Sequence, residues 1–290
     1  MVFITNQSVN VEIKRQQKLA YDIADYQQQI STGAKFDKPS DNPQDWIQIS
    51  YIGRQQSLNT AWTDNLKYGQ SRAAQAMSSL DDVNTLLGSV KESLIQATSQ
   101  GAGTPGSEAI ALTLEGVRES VRTILNQTDY QGTPTFDNMV SNTIPIGQGL
   151  AYQAVGTRQS IENITIVDNS VTPATTTTKS IYDILDAAIT AVRAGDTSAT
   201  GISKSLTESQ AALDHVIVAA SQQGVRSKRL DDEVARLQNQ KLNLVERRSN
   251  LEDTDLTEAV TKVQAKLTTL QAAQAVFSKV NQQSLFDLLR

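Results

Sequence analysis

Leu66, Gly69, Ala73, Ala76, Leu80, Val83, Leu87, Val90, Leu94 and Ala97 follow one another at alternating spacings of three and four residues. Sustained over more than four heptads, that spacing puts every one of these side chains on a single stripe of one α-helix. A helix this long is not free to choose its surroundings. At 1.5 Å per residue it runs roughly 45–80 Å, depending on whether it begins near Leu66 or near Asn42, and its stripe must be covered along the whole distance. The chain is therefore expected to be built around long, laterally packed helices.

The flanking segments extend the pattern. Leu19, Ile23, Tyr26 and Ile30 form an apolar seam of coiled-coil type, and Thr32-Gly33 ends that helix. Asn42, Pro43 and Asp45 read as the cap, first residue and first-turn acid of the long helix. The stretch Gly101 to Gly106 breaks it, and a second helix, Ser107 to Asn126, returns antiparallel. Ser180 and Asp183 form a cap pair for a helix that Gly195-Asp196 terminates. Another long helix covers Ser203 to about Asn250, with Leu206, Leu213, Val216, Ala220, Leu230, Val234, Leu237, Leu244 and Leu251 on its buried side. Asp255 caps a last helix, whose seam contains Leu256, Val260, Val263, Leu267, Leu270, Phe277, Leu285 and Leu288, with Gln274 and Asn281 at inner positions.

Between Tyr130 and Thr178 the punctuation changes. Gly132, Pro134, Pro145, Gly147, Gly149, Gly156 and Pro173 separate short β-forming runs such as Thr143 to Ile146 and Ile164 to Val167, which predicts a small β-rich insertion ending in a threonine-rich loop, Thr172 to Thr178. The expected fold is mainly α, a long helical rod or bundle with paired terminal coiled-coil helices and a small β-rich central insertion. The expected parts are 1–40 with 254–290 as a terminal coiled-coil domain, 41–130 with 179–253 as the helical bundle, and 131–178 as the insertion. If the inner helices pack antiparallel, the two ends of the chain are neighbours. An amphipathic helix with one seam and no partner is marginally stable in water, so two such helices at one end of a molecule invite other copies. Contacts between unlike faces need not close, and they generate tubes or filaments.

Composition removes most chemistry. The 290 residues contain no cysteine and one histidine, His215, so thiolate chemistry is excluded and histidine-based catalysis or metal ligation has almost nothing to work with. A net charge of -5 with both signs interspersed argues against nucleic acid. No catalytic, cofactor-binding or metal-ligating set emerges. His215 has no second ligand at helical spacing, and Glu252, Asp253 and Asp255 lack the glycine and spacing of a calcium loop. Arg226, Lys228, Arg229, Arg247 and Arg248 read as solvated helix faces or ion pairs between subunits, and Trp46 and Trp62 as packing residues. No apolar run is long enough to span a bilayer, and the first residues lack the pattern of a cleaved signal peptide.

Four stretches resemble the flagellin superfamily, and within it the hook–filament junction branch. They are Ile30 to Pro43, with its two prolines, Val90 to Ala97, Lys179 to Asp196, and Leu251 to Ala259 continuing to Ser284-Leu285-Phe286-Asp287-Leu288-Leu289. Asn42 stands where that family usually has aspartate, and Leu289-Arg290 extends the usual terminus. Ser89 stands where flagellins recognised by innate receptors carry arginine, so such recognition is not expected. The resemblance implies a secreted structural subunit without enzymatic activity, exported by the flagellar type III route after binding a cytoplasmic chaperone. It implies as partners copies of the chain itself, the first hook-associated junction protein on one side and flagellin on the other. The assembly surface it implies is made of Leu19, Ile23, Tyr26, Ile30, Leu256, Val260, Val263, Leu267, Leu270, Phe277, Leu285 and Leu288. Two other readings stand beside it: a filament flagellin, and a surface polysaccharide-binding protein on a flagellin-like scaffold. The second has little support, because only Tyr152 and, at the boundary, Tyr130 fall in the stretch from Tyr130 to Thr178, and no tryptophan does.

Overall fold

The structure, a computed structural model, describes residues 6–138, 143–147, 149–168 and 175–288. Its long elements are helices α1 (Asn6–Thr32), α2 (Pro43–Ala97), α3 (Pro105–Leu125), α5 (Ile181–Ala194), α6 (Ile202–Glu252) and α7 (Leu256–Leu288). Between α3 and α5 lie strands β1 (Thr143–Pro145) and β2 (Ala151–Gln153), the short helix α4 (Arg158–Glu162), and strands β3 (Asn163–Asp168) and β4 (Thr175–Ser180). The chain divides into two compact units, 1–58 with 240–290, and 59–239.

Local chemistry sets the helix ends. Asn42 caps the start of α2, accepting from the Asp45 backbone N–H at 3.2 Å, and its side-chain amide donates to the Asp45 carboxylate at 2.6 Å. Thr104 caps α3, accepting from Ser107 N, and Pro105 occupies the first turn, so this helix begins two residues earlier than the sequence pattern suggested. Ser180 and Asp183 form a complete capping box on α5, and Gly195 ends it at φ +59°, in the left-handed region that glycine enters at no cost. Asp255 accepts from the N–H groups of Thr257 and Glu258 at the start of α7.

The unit of residues 59–239 holds the one contiguous hydrophobic core found among the described residues. Every apolar side chain of the stripe from Leu66 to Ala97 is buried in it. It meets Ile110, Leu114, Val121 and Leu125 of α3, Ile181, Leu185 and Val192 of α5, and Val216, Leu230 and Leu237 of α6. Helices α3 and α5 pack on each other, and across their exposed edge Arg193 bridges Glu108 and Glu115, each at 3.0 Å. Exposed pairs of this kind contribute little stability and mainly fix orientation.

The insertion is two antiparallel hairpins, β1 with β2 and β3 with β4, and its inner side chains Phe136, Ile144, Ile146, Val155, Ile161 and Ile164 join the same core. Thr175 to Thr178 belong to β4, paired with β3 in a register that sets Thr178 opposite Thr165, rather than to a loop. Their β-branched side chains suit a strand, and the partner Ile164 to Val167 gives them a ladder. Residues 172–174 of the expected loop lie outside the described ones. Gly69 explains the close seat of the first hairpin on α2. A Cβ there would stand 3.1 Å from Ile144 Cγ1, so any larger residue requires the Ile144 side chain to give way by a few tenths of an ångström.

Candidate assembly interface

In the unit of residues 1–58 and 240–290, α1 and α7 pack against each other. The pairing is antiparallel, as its polar contacts show. Lys35 N donates to Glu252 O at 2.7 Å and Thr254 N to Gly33 O at 2.8 Å, forming a short bridge where the two helices begin and end. Further along, Tyr26 lies under two ammonium groups, Lys262 at 5.6 Å and Lys266 at 5.7 Å from its ring centre. Lys266 also donates to Asp22 at 2.6 Å, and Lys262 pairs with Glu258 at 2.7 Å. Across the pair, Asp22 and Tyr26 of α1 thus meet Lys262 and Lys266 of α7, and these charge and ring contacts favour the observed alignment.

The predicted seam residues divide. On α1 the covered face coincides with the predicted one: Ile23 is buried, and Leu19, Tyr26 and Ile30 are half-buried. On α7 the covered face is Ala259, Val263, Lys266, Leu270, Ala273 and Phe277, whereas Leu256, Val260 and Leu267 remain exposed at 52%, 41% and 37%. With 100° per residue, the packed stripe is rotated by roughly 50° from the apolar seam. The covered stripe includes two alanines, Ala259 and Ala273, and Lys266, which a count of large apolar residues does not mark. The side chains of Leu285 and Leu288 lie outside the described ones, as does that of Asn281. Gln274 is exposed and not at an inner position. The amide that does turn inward belongs to the other helix: Gln16 Nε2 is covered and makes no hydrogen bond among the described residues. Its place one turn before Leu19 extends the α1 seam and was the available signal.

The wider distribution of apolar surface is uneven. Among the described residues, the buried apolar side chains of this unit are Ile23, Ile52, Leu244, Ala259 and Val263. Its exposed large ones are Val11, Ile13, Tyr21, Ile47, Tyr51, Leu58, Leu242, Val245, Leu256, Val260, Leu267 and Val276. In the unit of residues 59–239 the proportion is reversed, with a full core and only scattered exposed residues. Single exposed apolar residues are ordinary, but a helical unit in which they outnumber the buried ones has the composition of an interface.

Several of the other candidate groups have structural partners. His215 Nε2 is 2.9 Å from the Ser160 carbonyl oxygen, and Trp62 packs on the core. Lys228 pairs with Asp232 and Arg248 with Glu252. Arg226, half-buried beside Gly156, titrates below the usual arginine range because burial disfavours its charge and Arg229 repels it. No cluster of three or more potential metal ligands occurs among the described residues, and no helix there is long and apolar enough to cross a membrane.

Comparison with known proteins agrees with this architecture. Residues 4–141 match the family model of the bacterial flagellin N-terminal helical region, and residues 206–289 that of the flagellin C-terminal helical region. The flagellar hook-associated protein 3 of Escherichia coli is 21% identical over 91% of this chain and 92% of that protein. A flagellin of Brucella melitensis is 22% identical over 99% of this chain and 98% of its own length. A solved structure described as a flagellar hook-associated protein, from Vibrio parahaemolyticus, superposes with a TM-score of 0.61 at 16% identity, covering 73% of this chain and all of that one, a likeness of fold. Both helical regions of the family are present, flanking the insertion, and the chain belongs to the flagellin family of bacterial flagellar structural proteins.

Proposed function

We propose that this chain is the subunit of the ring that joins the flagellar hook to the filament, assembling outside the cell with copies of itself through the α1–α7 pair. The observation that carries the proposal is the reversed apolar distribution of residues 1–58 and 240–290, where Leu256, Val260 and Leu267 form an open stripe beside a packed one. In this reading Leu19, Ile23, Tyr26, Ile30, Val263, Leu270 and Phe277 hold the pair together, and the open stripe meets the neighbouring copy. Residues 1–40 and 254–290 then make the inner part of the ring, 41–130 with 179–253 the bundle, and 131–178 the outer part. The neighbours above and below are flagellin and the first hook-associated junction protein, and a cytoplasmic chaperone holds the chain before export.

The junction role is supported by the two prolines of the turn at Pro39 and Pro43, by the stretch Ser284 to Leu289, and by the hook-associated relatives. A filament flagellin is the second reading, and the flagellin relative that spans 99% of the chain favours it. Antibody labelling of intact flagella separates the two. A junction subunit gives one band at the far end of the hook, whereas label along the whole filament overturns the junction proposal. Purified protein gives the same answer: a junction subunit adds to hook ends and stops, and a flagellin elongates them without limit.

A further inference from the structure

The joint between the insertion and the bundle contains two buried polar atoms without a hydrogen bond among the described residues. Arg72 of α2 is 6% exposed, and its guanidinium reaches under the segment that follows α3, with Nη2 donating to Pro134 O at 2.5 Å and lying 3.5 Å from Thr135 O. Two buried atoms here make no hydrogen bond among the described residues, Arg72 Nε and the hydroxyl oxygen of Thr135, a residue only 1% exposed. They sit on adjoining groups, since the Thr135 carbonyl already approaches the same guanidinium. A buried N–H and a buried hydroxyl left bare would each cost the desolvation of a polar group, so native proteins fill such places.

We propose that Arg72 Nε and Thr135 Oγ1 form a site for one internal water molecule, which accepts from the guanidinium and exchanges a hydrogen bond with the hydroxyl. Charge decides for water over a small anion. Asp129 stands near enough to Arg72 for the guanidinium to favour its ionised form. It is held ionised by the Tyr68 hydroxyl on Oδ2 at 2.8 Å and by the N–H groups of Gln131 and Thr133 on Oδ1 at 2.8 and 2.9 Å. An added anion would face that carboxylate, whereas a neutral molecule with both donor and acceptor capacity matches the two groups left over.

A crystal structure of the full chain at a resolution that resolves ordered solvent tests this directly. The expected result is one solvent peak within hydrogen-bonding distance of both atoms, without anomalous signal in crystals grown in bromide, and lost in Thr135→Val. A dry site, both atoms bonded to other protein groups, or a bromide signal at the peak would each overturn the proposal. So would a peak that survives unchanged in Thr135→Val. The wild-type crystal alone decides the first three outcomes if that variant does not fold.

Discussion

Replacing Leu256, Val260 and Leu267 together by glutamine separates assembly from folding. Glutamine is about as good a helix former as leucine, and all three side chains are substantially exposed in the single chain. The isolated protein should therefore keep its helicity, with a stability change near the range of about ±0.5 kcal/mol usual for surface positions. The consequence for assembly is different. Complete burial of a valine or leucine is worth about 1.5–3 kcal/mol, and covering the remaining 37–52% of each is worth roughly 0.6–1.5 kcal/mol. Three such residues give about 2–4 kcal/mol per subunit, so the concentration needed for polymer or ring formation should rise roughly 30- to 700-fold. Sedimentation across a concentration series measures that threshold, and circular dichroism of the dilute variant measures its folding. Assembly at the unaltered threshold would refute the role given to the open stripe. A variant that loses its helices while dilute would show that the stripe is covered within the chain.

Gly69→Leu should destabilise the protein by about 1–3 kcal/mol in urea unfolding, because the side chain would drive β1 away from α2. Gly88→Ala, with open space around its Cβ, should instead stabilise α2 by up to about 1 kcal/mol in the same assay. Ser180→Ala removes half of the capping box of α5 and should cost about 0.5–2 kcal/mol, and an unchanged unfolding midpoint would count against the cap. Burial works to raise the Asp129 carboxyl, but the Tyr68 hydroxyl, the Thr133 and Gln131 N–H groups and Arg72 outweigh it and hold it below the usual aspartate range. With a lowered folded-state value, its stabilisation is complete above the unfolded value of about 3.9 and is lost as pH falls through the folded one. The amide resonances of Gln131 and Thr133 should shift with a midpoint below about 3.9 and lose that transition in Asp129→Asn.

What the sequence determined by itself was everything governed by local repetition. A run of threes and fours from Leu66 to Ala97 admits one periodicity, and each of its positions is buried, glycine included. Ser180 with Asp183, Asn42 with Asp45, and Gly195 act within one or two turns, so their roles can be read without knowing what lies opposite. Tertiary structure decided what depends on a partner. The pattern of α7 shows which of its residues are apolar, but the face that packs includes Ala259, Lys266 and Ala273, which hydrophobicity alone does not mark. The threonines 175–178 become a strand only because Ile164 to Val167 stand opposite them. Arg72, one charged residue on a long helix, shows its place only when residues 134 and 135 fold over it. Helical periodicity is a property of one segment, whereas burial and close approach belong to pairs of segments brought together from distant parts of the chain.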